Sequence, residues 1–221
     1  MAKVDGAPRV PAYYSAKILS VRMRIVFMVL LLASFYGAWH AWENRAFTAP
    51  DGVLAREVPL QQDLDPPPTF DAGGLTFIER ARYDLTVRLL RKERYLIDGG
   101  ASIAPYDLAV GWGPMSDSRV LDQLDITQMG RFFYWRMRDT AKFPLSTHDL
   151  IVSAGQIHAI PATPAVERQL GKLRRGQVIT LHGFLVDVRG PRGFTWNTSL
   201  TREDTGAGAC EIMWIEAIDG A

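Results

Sequence analysis

The sequence predicts an α+β or mostly β domain of short strands with a few short helices, carried behind one N-terminal transmembrane helix. Three observations predict it: a charge-free apolar run near the N-terminus, two-residue hydrophobic alternation in several later stretches, and Gly/Pro punctuation that keeps elements short. The chain has 221 residues, 48% of them hydrophobic and 22% charged, which suits a globular domain with appendages. Its formal net charge of +1 gives no basic excess, so nucleic acid is not an expected partner. A single cysteine, Cys210, cannot form a disulfide within the chain, so stability must come from packing.

Residues 25–42 read IVFMVLLLASFYGAWHAW, without Asp, Glu, Lys or Arg. A helix needs about 20 apolar residues to cross the hydrocarbon layer, and this run, flanked by Arg24 and ending in aromatics, suffices. Residues 1–24 carry Lys3, Arg9, Lys17, Arg22 and Arg24 against one acid, Asp5, whereas Glu43, Asp51, Glu57, Asp63 and Asp65 follow the run. Basic flanks stay cytoplasmic, which places the N-terminus inside and the later chain outside, with Tyr36, Trp39 and Trp42 at the outer interface. A cleaved signal peptide is the rival, but no small-x-small cleavage pattern follows the run. His40 then reads as an interfacial residue near the helix end rather than a proton relay. Residues 43–72, ending in Asp65-Pro66-Pro67-Pro68, read as a Pro-rich spacer, and residues 73–221 as the domain.

Within the domain, Tyr83, Leu85, Val87 and Leu89 alternate with Asp84, Thr86 and Arg88, which predicts a strand; Thr86 and Val87 favour it over the helical stripe that Ile78, Ala81, Leu85 and Leu89 would also make. Asp107-Leu-Ala-Val-Gly-Trp-Gly-Pro-Met-Ser-Asp117 reads as a short strand, then a Gly/Pro turn. Ser116 is placed to cap a helix through Leu124, with Asp117 favouring its positive end. A strand follows over Arg131–Met137. Asp149–Val152 and Gln156–Ile160 read as extended chain, then Thr163 as a cap, Pro164 as first helical residue, and a helix to Leu173. Residues Gln177–Val188 alternate as a strand, Gly190-Pro191-Arg192-Gly193 turns into an extended stretch to Leu200, and a last strand runs Ala209–Ile218. Repeated short strands allow a small barrel of the oligonucleotide/oligosaccharide-binding kind.

Four strings could carry chemistry. Arg131-Phe-Phe-Tyr-Trp-Arg-Met-Arg138 interleaves bases and aromatics that could stack rings through Tyr134, although a strand buried on both faces accounts for it without a ligand. Gly111-Trp112-Gly113-Pro114-Met115-Ser116-Asp117 puts Trp112 and Met115 before a helix start, yet lacks a dinucleotide fingerprint and a phosphate-loop Lys. Thr201-Arg202-Glu203-Asp204-Thr205-Gly206-Ala207-Gly208-Ala209-Cys210-Glu211 offers Glu203, Asp204 and Glu211 as hydrogen-bond acceptors or acid and base, or is a structured loop with Arg202 paired to an acid. Trp196 and Tyr134 would serve a ring-binding face. Cys210 could be a nucleophile only beside a base, and His148, His158 and His182 show no local coupling to it. There is no CxxC, no CxxCH, no i,i+4 histidine pair and no GxSxG, so no cofactor or metal is expected and no catalytic residue can be assigned.

The strings GWGPMSD, RFFYWRM and TREDTGAGACE resemble those of a family of bacterial single-pass membrane-anchored proteins without an established activity. That resemblance implies an inner-membrane setting and carries over no catalytic residue. The function expected is therefore an accessory, assembly or binding subunit of a membrane or cell-envelope complex, touching the bilayer through residues 25–42. Its candidate surface comprises Trp112, Met115, Arg131, Tyr134, Trp196, Arg202 and Asp204. The alternatives are an envelope enzyme with its site near the Glu203–Cys210 loop and a glycan- or oligonucleotide-binding barrel.

Overall fold

The computed structural model describes residues 12–43, 45–141, 143–204, 206 and 208–220. It is α+β, mostly strands with few helices, as the alternation predicts. Contacts divide the chain into two units, Met1–Asn44 and Arg45–Ala221. The expectations for Lys3, Asp5 and Arg9 lie outside the described residues.

The first unit is one 32-residue helix, α1 (Ala12–Glu43), whose backbone covers the whole run from Ile25 to Trp42. Its described apolar side chains, among them Ile25, Leu30 and Phe35, are all exposed. Ser34 Oγ donates to Leu30 O at 2.8 Å, satisfying its hydroxyl within the helix. Among the described residues, no helix is long and apolar enough to cross a membrane.

The second unit begins earlier than the sequence suggests. Residues 45–72, expected as a free spacer, fold onto the domain. Phe47 N–H donates to Arg175 O, Ala55 is 1% exposed, and strands β1 (Leu60–Asp63) and β2 (Thr69–Ala72) both pair with β3 (Leu75–Arg94). The prolines at 66–68 occupy only the connection between β1 and β2, so the extended bias they impose does not reach the rest of the segment.

Strand β3 supplies the alternation seen around Leu85, and its length lets it join two sides of one ring. Thr76–Arg88 pairs antiparallel with β8 (Val178–Arg189), and Arg88–Arg94 with β4 (Tyr106–Gly111). β4 pairs antiparallel with β7 (Ala154–Pro161), β7 runs parallel to β10 (Glu211–Asp219), and β10 returns antiparallel to β8. Five strands therefore pair in a closed cycle, β3-β4-β7-β10-β8, leaving no unpaired edge within it. Register shifts at Glu79/Ala81 and Leu89/Arg91 bend β3 so that it can turn this corner.

The inward positions of the alternation fill the ring: Tyr83, Leu85, Val87 and Leu89 meet Leu108, Ile157, Leu181, Leu185, Met213 and Ile215. Burying each aliphatic side chain of this set contributes roughly 1.5–3 kcal/mol before entropy is counted. Gly183 is needed here because a Cβ would collide with Trp214 O where β8 and β10 approach. Helix α4 (Pro164–Lys172) closes one end with Val166 and Leu170. Thr163 caps it as the sequence predicts, its Oγ1 accepting from Val166 N–H at 3.3 Å.

Between β4 and β7 the chain inserts a small layer. It holds α2 (Ser118–Leu121), the hairpin β5 (Leu124–Met129) and β6 (Phe132–Met137), and α3 (Thr147–Ile151), packed on a second apolar cluster around Leu90, Met115 and Leu150. Two local expectations change here. Ser116 does not cap a helix to Leu124: α2 ends at Leu121, and its cap is Asp117, which accepts from Arg119 N–H at 2.9 Å. The Arg119 guanidinium foremost holds the Asp117 carboxyl down at about 2. Ser116 Oγ instead accepts the amides of Leu54 and Ala55, pinning residues 45–55 to the domain. Asp149–Val152 is not extended, because Ser146 and Asp149 form a reciprocal cap that starts α3.

After β8 the turn Pro191–Gly193 leads only into β9 (Thr195–Trp196), so the extended stretch predicted to Leu200 stops early, and the described residues of 197–210 form a loop.

Candidate functional site

The hairpin β5–β6 and the 197–210 loop face each other across the starts of β7 and β10. Between them lies a cavity of about 350 Å³. One wall is β6, with Phe133, Tyr134 and Trp135; the other is the loop, with Arg202 and Asp204; Gly155, Gln156, Cys210 and Glu211 form the floor. Each wall has a distinct origin in the sequence. Gly130 and Arg131, both at positive φ (61° and 66°), form the two-residue turn that pairs Met129 with Phe132 and so aligns the aromatics of β6.

The floor follows from the parallel β7–β10 pair, which sets Glu211 opposite Ile157. Gly155 lies against the carboxyl group: a Cβ there would make ordinary contact, 3.4 and 3.5 Å from the two Glu211 carboxylate oxygens and 3.6 Å from the Trp112 ring. Glu211 is only 6% exposed. Burial, reinforced by the charge of Asp204, pushes its carboxyl up to about 8, against the opposing pull of Arg202 and of the Gln156 backbone amide. Its Oε2 has no hydrogen-bond partner among the described residues, and neither do Gln156 Nε2 and Trp112 Nε1. Gln156 Oε1 accepts from Gln128 Nε2 of β5 at 3.4 Å, a contact linking floor to hairpin.

The loop wall is tied both to the domain and to itself. Arg202 Nη2 donates to Pro59 O at 2.7 Å, and Asp204 Oδ2 accepts from Ser199 Oγ at 2.7 Å. The expected Arg202–acid pair is therefore replaced by a backbone contact. Burial first, then Glu211, Asp107 and Asp204, push the Cys210 thiol up to about 12. A thiol surrounded by carboxylates stays protonated and is a poor nucleophile, so that role falls away. Thr205 and Ala207 of the same string lie outside the described residues.

A second cluster stands beside the cavity and fixes its hairpin wall. The Arg131 guanidinium donates to Asp98 twice at 2.7 Å, to Asp107 Oδ1 at 3.0 Å and to Ala104 O at 3.2 Å. It lies 4.3 Å from the Tyr95 ring centroid and 5.6 Å from that of Trp196. Asp107, fully buried, also meets His158 Nδ1 at 2.8 Å, and His158 packs on Trp196 at 4.9 Å. Backbone contacts complete the fastening: Arg131 N–H donates to Tyr95 Oη at 3.0 Å, and Cys210 Sγ lies 4.0 Å from Arg131 O.

The sequence-predicted residues thus separate into three groups. Tyr134, half exposed, joins Arg202 and Asp204 in the cavity wall. Arg131 and Trp196 meet each other in the fastening cluster, and Trp112 and Met115 lie in the core, 2% and 0% exposed. Glu211 was legible only as one acid in a loop, and Gly155, Gln156 and Gln128 were not singled out. A Glu heading the otherwise apolar strand Ile212–Ile215 is the signal that could have raised its rank. Among the described residues, no group of three His, Cys, Asp or Glu is placed to hold a metal ion.

Comparison with protein-family models, with curated proteins and with solved structures finds no match to this chain. The functional reading therefore rests on the geometry.

Proposed function

We propose that this chain is a membrane-anchored binding subunit of the bacterial inner membrane, with α1 as anchor and the Arg45–Ala221 unit as a receptor domain on the periplasmic side. The observation that carries the binding reading is the cavity floor, where Glu211 Oε2 and Gln156 Nε2 are buried without partners among the described residues, beside a wall of aromatics. Buried polar atoms left unmatched cost about 1–3 kcal/mol each, a cost that a ligand's own polar groups would remove. The cyclic order β3-β4-β7-β10-β8, with one parallel pair and a helix between the third and fourth strands in sequence, supports an OB-like barrel. Barrels of that kind bind ligands beside their second and third strands and at the loop between the fourth and fifth. The cavity lies at the corresponding β7 face and 197–210 loop. Arg202 is offset by Asp204 in the lining, which leaves no basic excess for phosphate, so nucleic acid is not the proposed ligand.

The anchor proposal draws on the charge-free run in α1, its exposed apolar side chains and the excess of bases before it. Placing the mass outside follows from the same charge asymmetry. One observation favours a second reading, catalysis: an enclosed carboxyl raised to about 8 suits a general acid. The protonated Cys210 supplies it with no nucleophile, so binding is preferred.

The test is site-specific photocrosslinking of the full-length chain in native membranes, with the probe at Tyr134 and, as control, at Ile97, which is 99% exposed outside the cavity. A discrete adduct at Tyr134 that is missing at Ile97 is the expected outcome. No adduct at Tyr134, or equal labelling at both, refutes the receptor reading.

A further inference from the structure

Resting on that receptor reading, we infer that the cavity takes an organic cation, an alkylammonium or alkylguanidinium group, with its charge against Glu211 and Asp204 and its stem along Phe133 and Trp135. The group could belong to a free amine or to the Lys or Arg side chain of a partner, because both present the same chemistry to the wall.

Charge decides between ligand classes. The titratable groups around Glu211 are Asp204 and Arg202 on the loop, Cys210 beside it on the chain and Tyr83 on β3. Burial pushes the Tyr83 hydroxyl and the Cys210 thiol up, so both are neutral at neutral pH. Asp204 balances Arg202 while Glu211 is protonated, and a negative excess arises when Glu211 ionises; Arg202 Nη2 is committed to Pro59 O. An anion would oppose that ionisation. A neutral donor could satisfy Glu211 Oε2 but would leave the negative excess uncompensated when Glu211 ionises. A cation does both.

The rest of the wall suits the same guest. Aromatic rings attract a desolvated cation, and their apolar surface accepts an alkyl stem. Gly155 lies directly against the carboxyl group, where a Cβ would touch both of its oxygens. Binding is an exchange: the protonated Glu211 carboxyl releases its proton to solvent, and the carboxylate so formed pairs with the ammonium or guanidinium, leaving the number of charges in the cavity balanced.

The experiment is isothermal titration of the full-length chain in detergent with n-butylammonium, n-butylguanidinium, neutral n-pentanol and anionic butyrate, repeated across pH in two buffers of different ionisation enthalpy. Both cations are expected to bind at least tenfold more tightly than pentanol or butyrate, with affinity rising up to about tenfold per pH unit until Glu211 is ionised near about 8. Heats should reveal proton release at neutral pH. Glu211→Gln should lose at least tenfold affinity together with the pH dependence, and Asp204→Asn, whose side chain lies at the wall rather than the floor, a smaller factor. Unchanged far-ultraviolet circular dichroism qualifies each variant. Tighter binding of Nα-acetyl-arginine methylamide than of butylguanidinium would assign the source to a protein side chain, and the reverse order to a free amine. Pentanol binding as tightly as the cations, absence of cation heat, or unaltered binding by both folded variants overturns the inference. An adduct at Tyr134 that butylguanidinium does not compete away would refute the cation and spare the receptor; no adduct and no heat would remove both.

Discussion

Replacing Glu211 by Gln should change how stability depends on pH, and the structure fixes the direction. The folded carboxyl titrates near about 8 and the unfolded one near 4.5. Below 4.5 both states hold the proton and the group contributes nothing. As pH rises from there, the unfolded chain gives up its proton first while the folded chain retains its own, so stability falls through the window and levels off above about 8. At roughly 1.4 kcal/mol per pH unit, the full shift is on the order of 5 kcal/mol. The Asp117 carboxyl, held at about 2, titrates below this window. Subtracting the Glu211→Gln curve from that of the unaltered chain isolates the contribution of Glu211 from groups that do not interact with it. The assay is chemical denaturation of the full-length chain in detergent from about pH 5 to about 9, followed by tryptophan fluorescence. The expected result is a difference that runs against the unaltered protein by several kcal/mol as pH rises, with the Gln variant the more stable at alkaline pH. Parallel curves would refute the buried carboxyl on which the site rests.

Three further outcomes are expected. Arg131→Gly keeps the positive-φ turn but strips Asp107 of its guanidinium; the domain should lose about 3 kcal/mol, and amides of β5 and β6 should exchange hydrogen faster. Gly183→Ala forces a methyl group into Trp214 O and parts β8 from β10, so the full-length chain should fail to reach a protease-resistant state. Cys210, buried with its thiol raised to about 12, should react with Ellman's reagent at mildly alkaline pH at least 100-fold more slowly than a free thiol and at full rate once unfolded.

What could be read from the sequence was what neighbours in the chain decide. The alternation of Tyr83, Leu85, Val87 and Leu89 placed β3 because a pleated strand sends every second side chain inward. Thr163-Pro164 placed the start of α4 because cap and first-turn chemistry are local. Ser116 and Asp117 show the limit: both residues can cap, and the choice was made by residues 54 and 55, whose amides claim the Ser hydroxyl from 61 and 62 positions away. The prolines of 66–68 suggested a spacer because their effect is local, whereas the pairing of β1 and β2 with β3 is not. The same reasoning separates the site residues. Tyr134, Arg202 and Asp204 announce themselves as aromatic or charged residues in distinctive strings. Glu211, Gly155 and Gln156 become a floor only when β10 lies beside β7, a pairing of segments more than 50 positions apart that no periodicity records.

The position of β10 bears on the order in which the chain can assemble. It is the strand that arrives after all the others, yet it sits between β7 and β8 and completes the cycle. Until it docks, each of those strands offers a bare row of amides and carbonyls, and the carboxyl group of Glu211 has no floor to join. Synthesis therefore exposes two sticky margins during the interval before the final segment emerges, which makes that interval the time when a chaperone is most useful. It also makes the cavity above Glu211 a late product of folding, formed only once the ring of strands has closed.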